Sequence, residues 1–325
     1  MPDQFNQRFA CIVGAPRTGT TSLAKFLRAH PQVCFSKVKE PHFFSQWDLT
    51  DCPDPELRQT VADEYLARYF PHRDGGDELL MEGSVTYLYA PEQMRPILRL
   101  WPDARFIIGL RDPMEMIPSL HRRLLFLGDE TVEDFERAWA LVEDRSRGRR
   151  VPRSCIEPRW LRYDEVGWLG EYVDRFISVV GRERCFFAVY DDVRRDPAAL
   201  YRQVQQFLGL PRHEPTDLAP RRASRGYRFG WLQRMLMRPP LVTRNLMAGT
   251  HYRRRVEAID KLRRGDSPAM KAVERARARL LRWNEADRPP TPLSVALRSE
   301  IRSKYSDDVA RLGRIIDRDL SHWLG

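Results

Sequence analysis

The first stretch with catalytic potential begins at Phe9. Phe9-Ala10-Cys11-Ile12-Val13 is a short apolar run that suits a buried strand, and Gly14-Ala15-Pro16-Arg17-Thr18-Gly19 follows as a turn. Thr20 to Leu27 then reads as a helix. A strand, a glycine-containing loop and a helix N-terminus make an anion cradle, because N–H groups of the first helical turn lack intrahelical acceptors and the helix dipole adds positive potential. The spacing is close to G-x-x-x-x-G-K-[ST]. Gly14 and Gly19 hold the glycine positions, Thr20 stands where the lysine would, Thr21 keeps the hydroxyl, and Arg17 brings a cation into the loop. The missing lysine normally reaches the β- and γ-phosphates, so its loss argues against ATP or GTP hydrolysis. The pattern suits a donor with one cradled 5′-phosphate and a further group beyond it.

Three other stretches carry candidate chemistry. Arg111 follows the apolar run Arg105-Phe106-Ile107-Ile108-Gly109-Leu110, with Ser119 eight residues on. Lys37-Val38-Lys39-Glu40-Pro41-His42-Phe43-Phe44 is a dense mixture of charges, proline, histidine and aromatics after a short strand at Val33-Cys34-Phe35. Leu79-Leu80-Met81 ends at Glu82-Gly83-Ser84-Val85-Thr86-Tyr87.

Strands and helices alternate around these stretches. Strands are expected at the runs already named and at Cys185–Tyr190. Helices are expected at Pro55–Phe70, Pro91–Trp101, from Pro113 towards Phe126, Thr131–Asp144, Leu161–Val180 and Pro197–Leu208. Such alternation implies a mainly parallel sheet covered on both faces, with ligands at the carboxyl ends of its strands. Every stretch named above falls at such an end. Residues 211–255 are rich in Arg, Pro, Trp and Met and show no strand pattern. Lys271–Trp283 and Thr291–Arg314 look helical.

Taken together, these motifs resemble those of sulfotransferases that use 3′-phosphoadenosine 5′-phosphosulfate (PAPS). GAPRTGTTSL looks like that family's 5′-phosphosulfate loop, GLRDPMEMIPSLHRRLL its 3′-phosphate motif, and KEPHFF the Glu-x-His-Phe-Phe stretch of the carbohydrate, heparan sulfate type and bacterial members. The resemblance implies a P-loop-NTPase-like three-layer α/β domain with a helical C-terminal cap. It also implies PAPS as co-substrate, 3′,5′-ADP as product and no metal. Arg17, Thr18, Gly19, Thr20 and Thr21 would hold the 5′-phosphosulfate, and Arg111 and Ser119 the 3′-phosphate. Arg225 and Gly226, within Ser224-Arg225-Gly226, match the family's late Ser-Lys-Gly loop that closes over that phosphate. Glu40 would be the base that accepts the acceptor's proton, with His42 next in line or structural, and Arg17 would stabilise the leaving group. For Glu40 the alternative is a surface carboxylate paired with Lys37 or Lys39. Where heparan-type enzymes carry Glu-Lys-Thr-Pro-x-Tyr, this chain has Gly83 for the lysine and Val85 for the proline, so the lysine's contribution is absent or supplied by Lys37 or Lys39. The resemblance covers about residues 8–210 and the terminal stretch Arg318–Trp323.

The chain is 325 residues with a formal net charge of +10 and a mean hydropathy of −0.55. It is expected to form a single domain: a core over 8–210, a helical and loop cap over 211–290, and C-terminal helices over 291–325. No apolar run is long enough for a transmembrane helix. The first ten residues lack the basic and apolar regions of a signal peptide. Cys11, Cys34, Cys52, Cys155 and Cys185 lack C-x-x-C spacing, so a reducing cytoplasm and no zinc site are expected. The basic excess fits a polyanionic co-substrate, nucleic acid or an anionic membrane surface. Residues 229–255, which mix Trp, Leu and Met with arginines, form a candidate peripheral membrane contact, an acceptor lid, or a loop packed on the body by its apolar side chains. The acceptor is expected to be a small-molecule, glycan or lipid-linked hydroxyl or amine: a carbohydrate, a glycolipid or a natural product. Two other functions compete: a nucleotide or small-molecule kinase on the same fold, and a basic nucleic-acid-binding protein, for which no helix-turn-helix, zinc or RNP signature is present.

Overall fold

A computed structural model of the chain describes residues 4–73, 76–214, 226–238, 268–286 and 291–325. Two compact units are formed. The first comprises Met1–Pro113, Trp168–Arg221 and Tyr305–Gly325, and the second Met114–Gly167 and Arg222–Lys304.

The first unit is built on β1 (Phe9–Gly14), β2 (Val33–Phe35), β3 (Leu79–Glu82), β4 (Arg105–Leu110) and β5 (Cys185–Val189). Their spatial order is β2-β3-β1-β4-β5 and every pairing is parallel. A parallel sheet is covered on both faces, which is why β1 is buried at all six positions. Side chains alternate between those faces. Ala10 and Ile12 join Leu23, Phe26 and Leu27 of the helix Thr20–Arg28 and Tyr201, Val204 and Leu208 of the helix Pro197–Leu208. Phe9 stacks on Trp101 with ring centroids 4.3 Å apart, and Phe106 of β4 meets Phe176 of the helix Leu169–Val180 edge to face. The chain runs from β1 outward to β2 and back to β3 on one side, then crosses to β4 and β5 on the other. The switch therefore lies between β1 and β4, where open α/β sheets bind ligands.

Local sequence explains the departures from expectation. The helix over Pro55–Phe70 starts as Asp54–Thr60, widens to a π-helical turn over Val61–Leu66 and closes at Ala67–Tyr69. In place of one helix over Leu161–Val180, short turns at Pro158–Leu161 and Tyr163–Val166 stop at Gly167, and the long helix begins at Leu169. Gly170 is needed there, because a Cβ would lie 2.4 Å from the Asp308 carbonyl oxygen while Asp308 accepts the Gly170 N–H at 2.7 Å.

The second unit contains the helix Met114 onward of Pro113–Leu127, the short helices Phe135–Trp139 and Val142–Ser146, and the helices Gly230–Met237 and Pro268–Asn284. Asp134 caps the first short helix by accepting the Arg137 N–H at 2.8 Å. Residues 211–255, expected to hold no strand, contribute β6 (Gly226–Tyr227), which pairs antiparallel with β7 (Glu285–Ala286). Alternation over so few residues leaves no periodic signal. Within this unit, buried Glu130 accepts hydrogen bonds from Arg145, from Tyr163 Oη at 2.9 Å and from the Thr131 and Val132 N–H groups. Among the described residues no helix is long and apolar enough to cross a membrane.

Candidate active site

The loop after β1 rests on the end of β4. Gly14 pairs with Gly109 in the sheet and has φ of 121°, and a Cβ there would stand 2.5 Å from the Gly109 nitrogen and oxygen. Only glycine permits that approach. The Ala15 N–H is donated to the Gly109 carbonyl at 3.3 Å, and the Thr18 hydroxyl to the Ala15 carbonyl at 2.8 Å. Thr18 is wholly buried, so it reaches the loop's concave side through its backbone and not its hydroxyl.

Arg17 and Gly19 both lie in the left-handed region, with φ of 70° and 85°. For arginine this conformation costs energy, so something must hold it. Arg111 does so in part: its Nη1 donates to the Arg17 carbonyl at 3.0 Å, and its guanidinium lies 4.2 Å over the Tyr190 ring. Tyr190 also supports Gly19, where a Cβ would meet the ring at 3.0 Å. The Gly19 carbonyl accepts the Ser22 and Leu23 N–H groups, which leaves the first N–H groups of the helix Thr20–Arg28 pointing into the loop. No acidic residue stands in that first turn.

Behind Tyr190 the chain's end is tied in. Asp191 accepts hydrogen bonds from Trp323 Nε1 at 2.9 Å, and Asp192 accepts one from Arg318 Nη2 at 2.9 Å. The terminal stretch singled out in the sequence therefore braces the turn that carries the tyrosine.

The segment after β2 supplies the second half of the site. Ser36 N–H is donated to Met81 and Lys37 N–H to Tyr69, while the Lys39 carbonyl accepts the Gly83 N–H at 2.9 Å. Lys37 is exposed. Lys39 instead turns inward: its Nζ is bonded to Glu40 Oε1 and stands 3.5 Å from Thr20 Oγ1. Glu40 Oε2 lies 3.7 Å from His42 Nε2. Of the two lysines considered, only Lys39 reaches the loop. The alternative reading of Glu40 as a lysine-paired carboxylate is seen in that pair, but the pair lies against the anion cradle.

His42 also has a left-handed backbone, with φ of 53°. Its N–H is donated to Ser84 Oγ at 2.9 Å, and its Nδ1 is 2.8 Å from Thr86 Oγ1. Ser84 Oγ donates to Glu82 Oε2 at 2.6 Å, and Tyr65 Oη donates to Glu82 Oε1 at 3.4 Å. Burial pushes Glu82 up to about 7; hydrogen bonds from Ser84, Tyr87 and Tyr65 oppose the rise and the Glu40 charge adds to it. Burial lowers His42, with Glu40 acting upward and Lys39 downward, so the imidazole is neutral at neutral pH.

Of the residues singled out from the sequence, Arg17, Thr18, Gly19, Thr20, Arg111, Glu40 and His42 gather at the carboxyl ends of β1, β2 and β4 in the first unit. Thr21 is exposed on the second residue of its helix. Ser119 is buried within the helix Pro113–Leu127, and Gly226 opens β6, both in the second unit. Arg225 lies outside the described residues. Sequence reasoning missed Tyr190, Ser84 and Thr86 as supports and did not foresee that Glu82 is wholly buried. The one available signal was polar residues at alternate positions directly after an apolar strand. Among the described residues no group of three or more His, Cys, Asp or Glu side chains is placed to hold a metal ion.

Residues 10–215 match the profile of the family described as "Sulfotransferase family". Among curated proteins, the chain is 26% identical over 203 residues to mouse heparan sulfate glucosamine 3-O-sulfotransferase 6, covering 62% of this chain and 52% of that protein. It is 24% identical over 210 residues to mouse bifunctional heparan sulfate N-deacetylase/N-sulfotransferase 4, covering 62% of this chain and 22% of that one. The matched region thus spans about half of the first relative and about a fifth of the second. Among solved structures, a sulfotransferase from Alicyclobacillus acidocaldarius shares the fold with a TM-score of 0.63 and 24% identity, over 97% of each chain.

Proposed function

The chain belongs to the sulfotransferase family, and from that premise we propose that it moves the sulfuryl group of PAPS to a hydroxyl or amine of an acceptor. One observation carries the reading. A glycine-floored anion loop without the P-loop lysine meets a carboxylate and a neutral imidazole, 3.7 Å apart, at the end of a single parallel sheet.

In this proposal the loop N–H groups of Thr18 to Thr21 and the Thr20 hydroxyl take the 5′-phosphosulfate, with Arg17 beside the bond that breaks. Arg111 is assigned to the 3′-phosphate. Bound PAPS supplies an activated sulfur and a diphosphate leaving group. Sulfuryl transfer requires the acceptor to lose a proton as it attacks, and Glu40 is positioned as that base. His42, low in pKa and fixed between Thr86 and the Ser84 hydroxyl, orients the carboxylate. A cation near the departing oxygen stabilises the charge developing there. The names of the relatives in the preceding comparison favour a carbohydrate acceptor; glycolipids and natural-product hydroxyls suit the same base. In this proposal the chain works in a reducing compartment such as the cytoplasm, where its five unpaired cysteines would stay as thiols. Of the candidate membrane-contacting stretch, residues 239–255 lie outside the described residues, while Phe229, Trp231 and Met235 are exposed.

A kinase on the same fold needs a lysine where Thr20 stands, and no side-chain ammonium occupies that helix position. The test is turnover of sulfur-labelled PAPS with a panel of glycan, phenol and alcohol acceptors. Label transfer that is lost in Glu40→Gln while 3′,5′-ADP binding persists is expected. Full turnover by Glu40→Gln would remove the base assignment, and phosphoryl transfer from ATP would remove the reading itself.

A further inference from the structure

Lys39 stands between the two halves of the site. Its backbone is pinned at the end of β3 by the Gly83 N–H, so its side chain pivots from a fixed point. The side chain is about four-fifths buried, with side-chain exposure of 21%, and its ammonium has two partners in view. One is Glu40, the carboxylate assigned as base. The other is Thr20 Oγ1, at 3.5 Å, on the first residue of the helix whose N-terminus faces the anion. An oxygen of an anion held by Thr20 would therefore come within contact distance of the ammonium without backbone movement. A phosphosulfate carries more than one negative charge and Glu40 only one, and charge-assisted bonds to phosphate oxygens are strong.

We propose that Lys39 is a latch shared by base and donor: it holds Glu40 before the donor binds and transfers to the donor's 5′-phosphosulfate, releasing Glu40 for the acceptor. This rests on the PAPS reading above. Donor binding and base activation become one event, so the carboxylate is freed only when a sulfuryl group is present. In the transfer itself, a bond forms between the acceptor oxygen and sulfur as the bond from sulfur to the bridging oxygen breaks. The electron pair leaves on the 5′-phosphate of 3′,5′-ADP, and the acceptor's proton passes to Glu40. Lys39 changes partner and makes or breaks no covalent bond.

The latch requires Glu40 and the donor to compete for one ammonium, and a double-mutant cycle read by calorimetry with 3′,5′-ADP measures that competition. Lys39→Met should weaken 3′,5′-ADP binding by about tenfold, and Lys39→Arg should recover most of it. Glu40→Gln should tighten binding by about threefold when Lys39 is present, and the gain should vanish in the Lys39→Met/Glu40→Gln double variant. Urea denaturation of all four proteins establishes that each is folded. An equal gain from Glu40→Gln with and without Lys39 would be a general charge effect and would overturn the latch, as would unaltered binding in Lys39→Met. If the wild-type chain does not bind 3′,5′-ADP, both the latch and the PAPS reading fall; binding with an additive cycle removes the latch alone.

Discussion

Gly109→Ala tests whether the loop owes its shape to the floor beneath it. A Cβ at Gly109 would stand 2.5 Å from Thr18 Oγ1 and 3.0 Å from Thr20 Cγ2, and Gly109 has no left-handed φ to strain. The added methyl group therefore acts by volume. Thr18 is wholly buried and gives its hydroxyl to Ala15, so it cannot retreat without losing that bond. Overpacking costs about 1–3 kcal/mol and a lost hydrogen bond about 1 kcal/mol, for a total of about 2–4 kcal/mol by urea denaturation. The displaced atoms belong to the segment whose N–H groups face the anion, so 3′,5′-ADP binding by calorimetry should also fall, by about a hundredfold. Gly170→Ala is the control, because its Cβ would clash with the Asp308 backbone within the same unit and the three atoms nearest to it all belong to Asp308. It should lose comparable stability and keep its nucleotide affinity. The reasoning is refuted if Gly109→Ala binds 3′,5′-ADP as the wild type does, or if the two variants lose affinity in proportion to their stability.

Three further outcomes are expected. Glu82 has a folded-state pKa of about 7 against an ordinary 4.5, so the folded chain holds this proton more tightly than the unfolded chain. The group's favourable contribution is complete below the ordinary value and is lost as pH rises to about 7, a fall of about 3 kcal/mol; urea denaturation at pH 5 and pH 8 should show this slope in the wild type and not in Glu82→Gln. Arg17→Gly keeps the left-handed backbone and deletes the guanidinium, so stability should stay within about 1 kcal/mol while turnover falls about 10²–10³-fold. A Cβ at Gly83 would meet only ordinary contacts, Ile12 at 3.4 Å and the Lys39 carbonyl at 3.7 Å. Gly83→Lys in a Lys39→Met background should therefore fold and recover part of the lost 3′,5′-ADP affinity, read by calorimetry.

The anion loop was legible because its parts are contiguous: an apolar strand, two glycines at fixed spacing and a hydroxyl-rich helix start. The parallel sheet was legible for a similar reason, since β1, β4 and β5 are uninterrupted apolar runs between helical periods. What escaped were relations between distant positions. Nothing in the sequence around Tyr190 says that its ring lies under Arg111 and against Gly19. Glu82 was read at the end of a strand, but its burial depends on Tyr65 and Tyr87 closing over it from other elements. The choice between Lys37 and Lys39 turned on which side of a short irregular segment faces the loop, and residues 37–40 have no periodicity to reveal it. The β6 and β7 pairing involves two residues on each side, too few to leave a pattern.

In the proposed reaction the loop after β1 receives a 3′-phosphorylated nucleotide whose 5′ end carries the group transferred. The most direct measurement is a calorimetric titration of the wild-type chain with 3′,5′-ADP, with 5′-AMP and ATP as comparators and Arg111→Ala as the variant. Saturable one-to-one binding of 3′,5′-ADP, much weaker binding of 5′-AMP and ATP, and loss of the preference for the 3′-phosphate in Arg111→Ala are expected. Tight binding of ATP with no preference for 3′,5′-ADP would contradict the proposed reaction and make the loop a kinase loop.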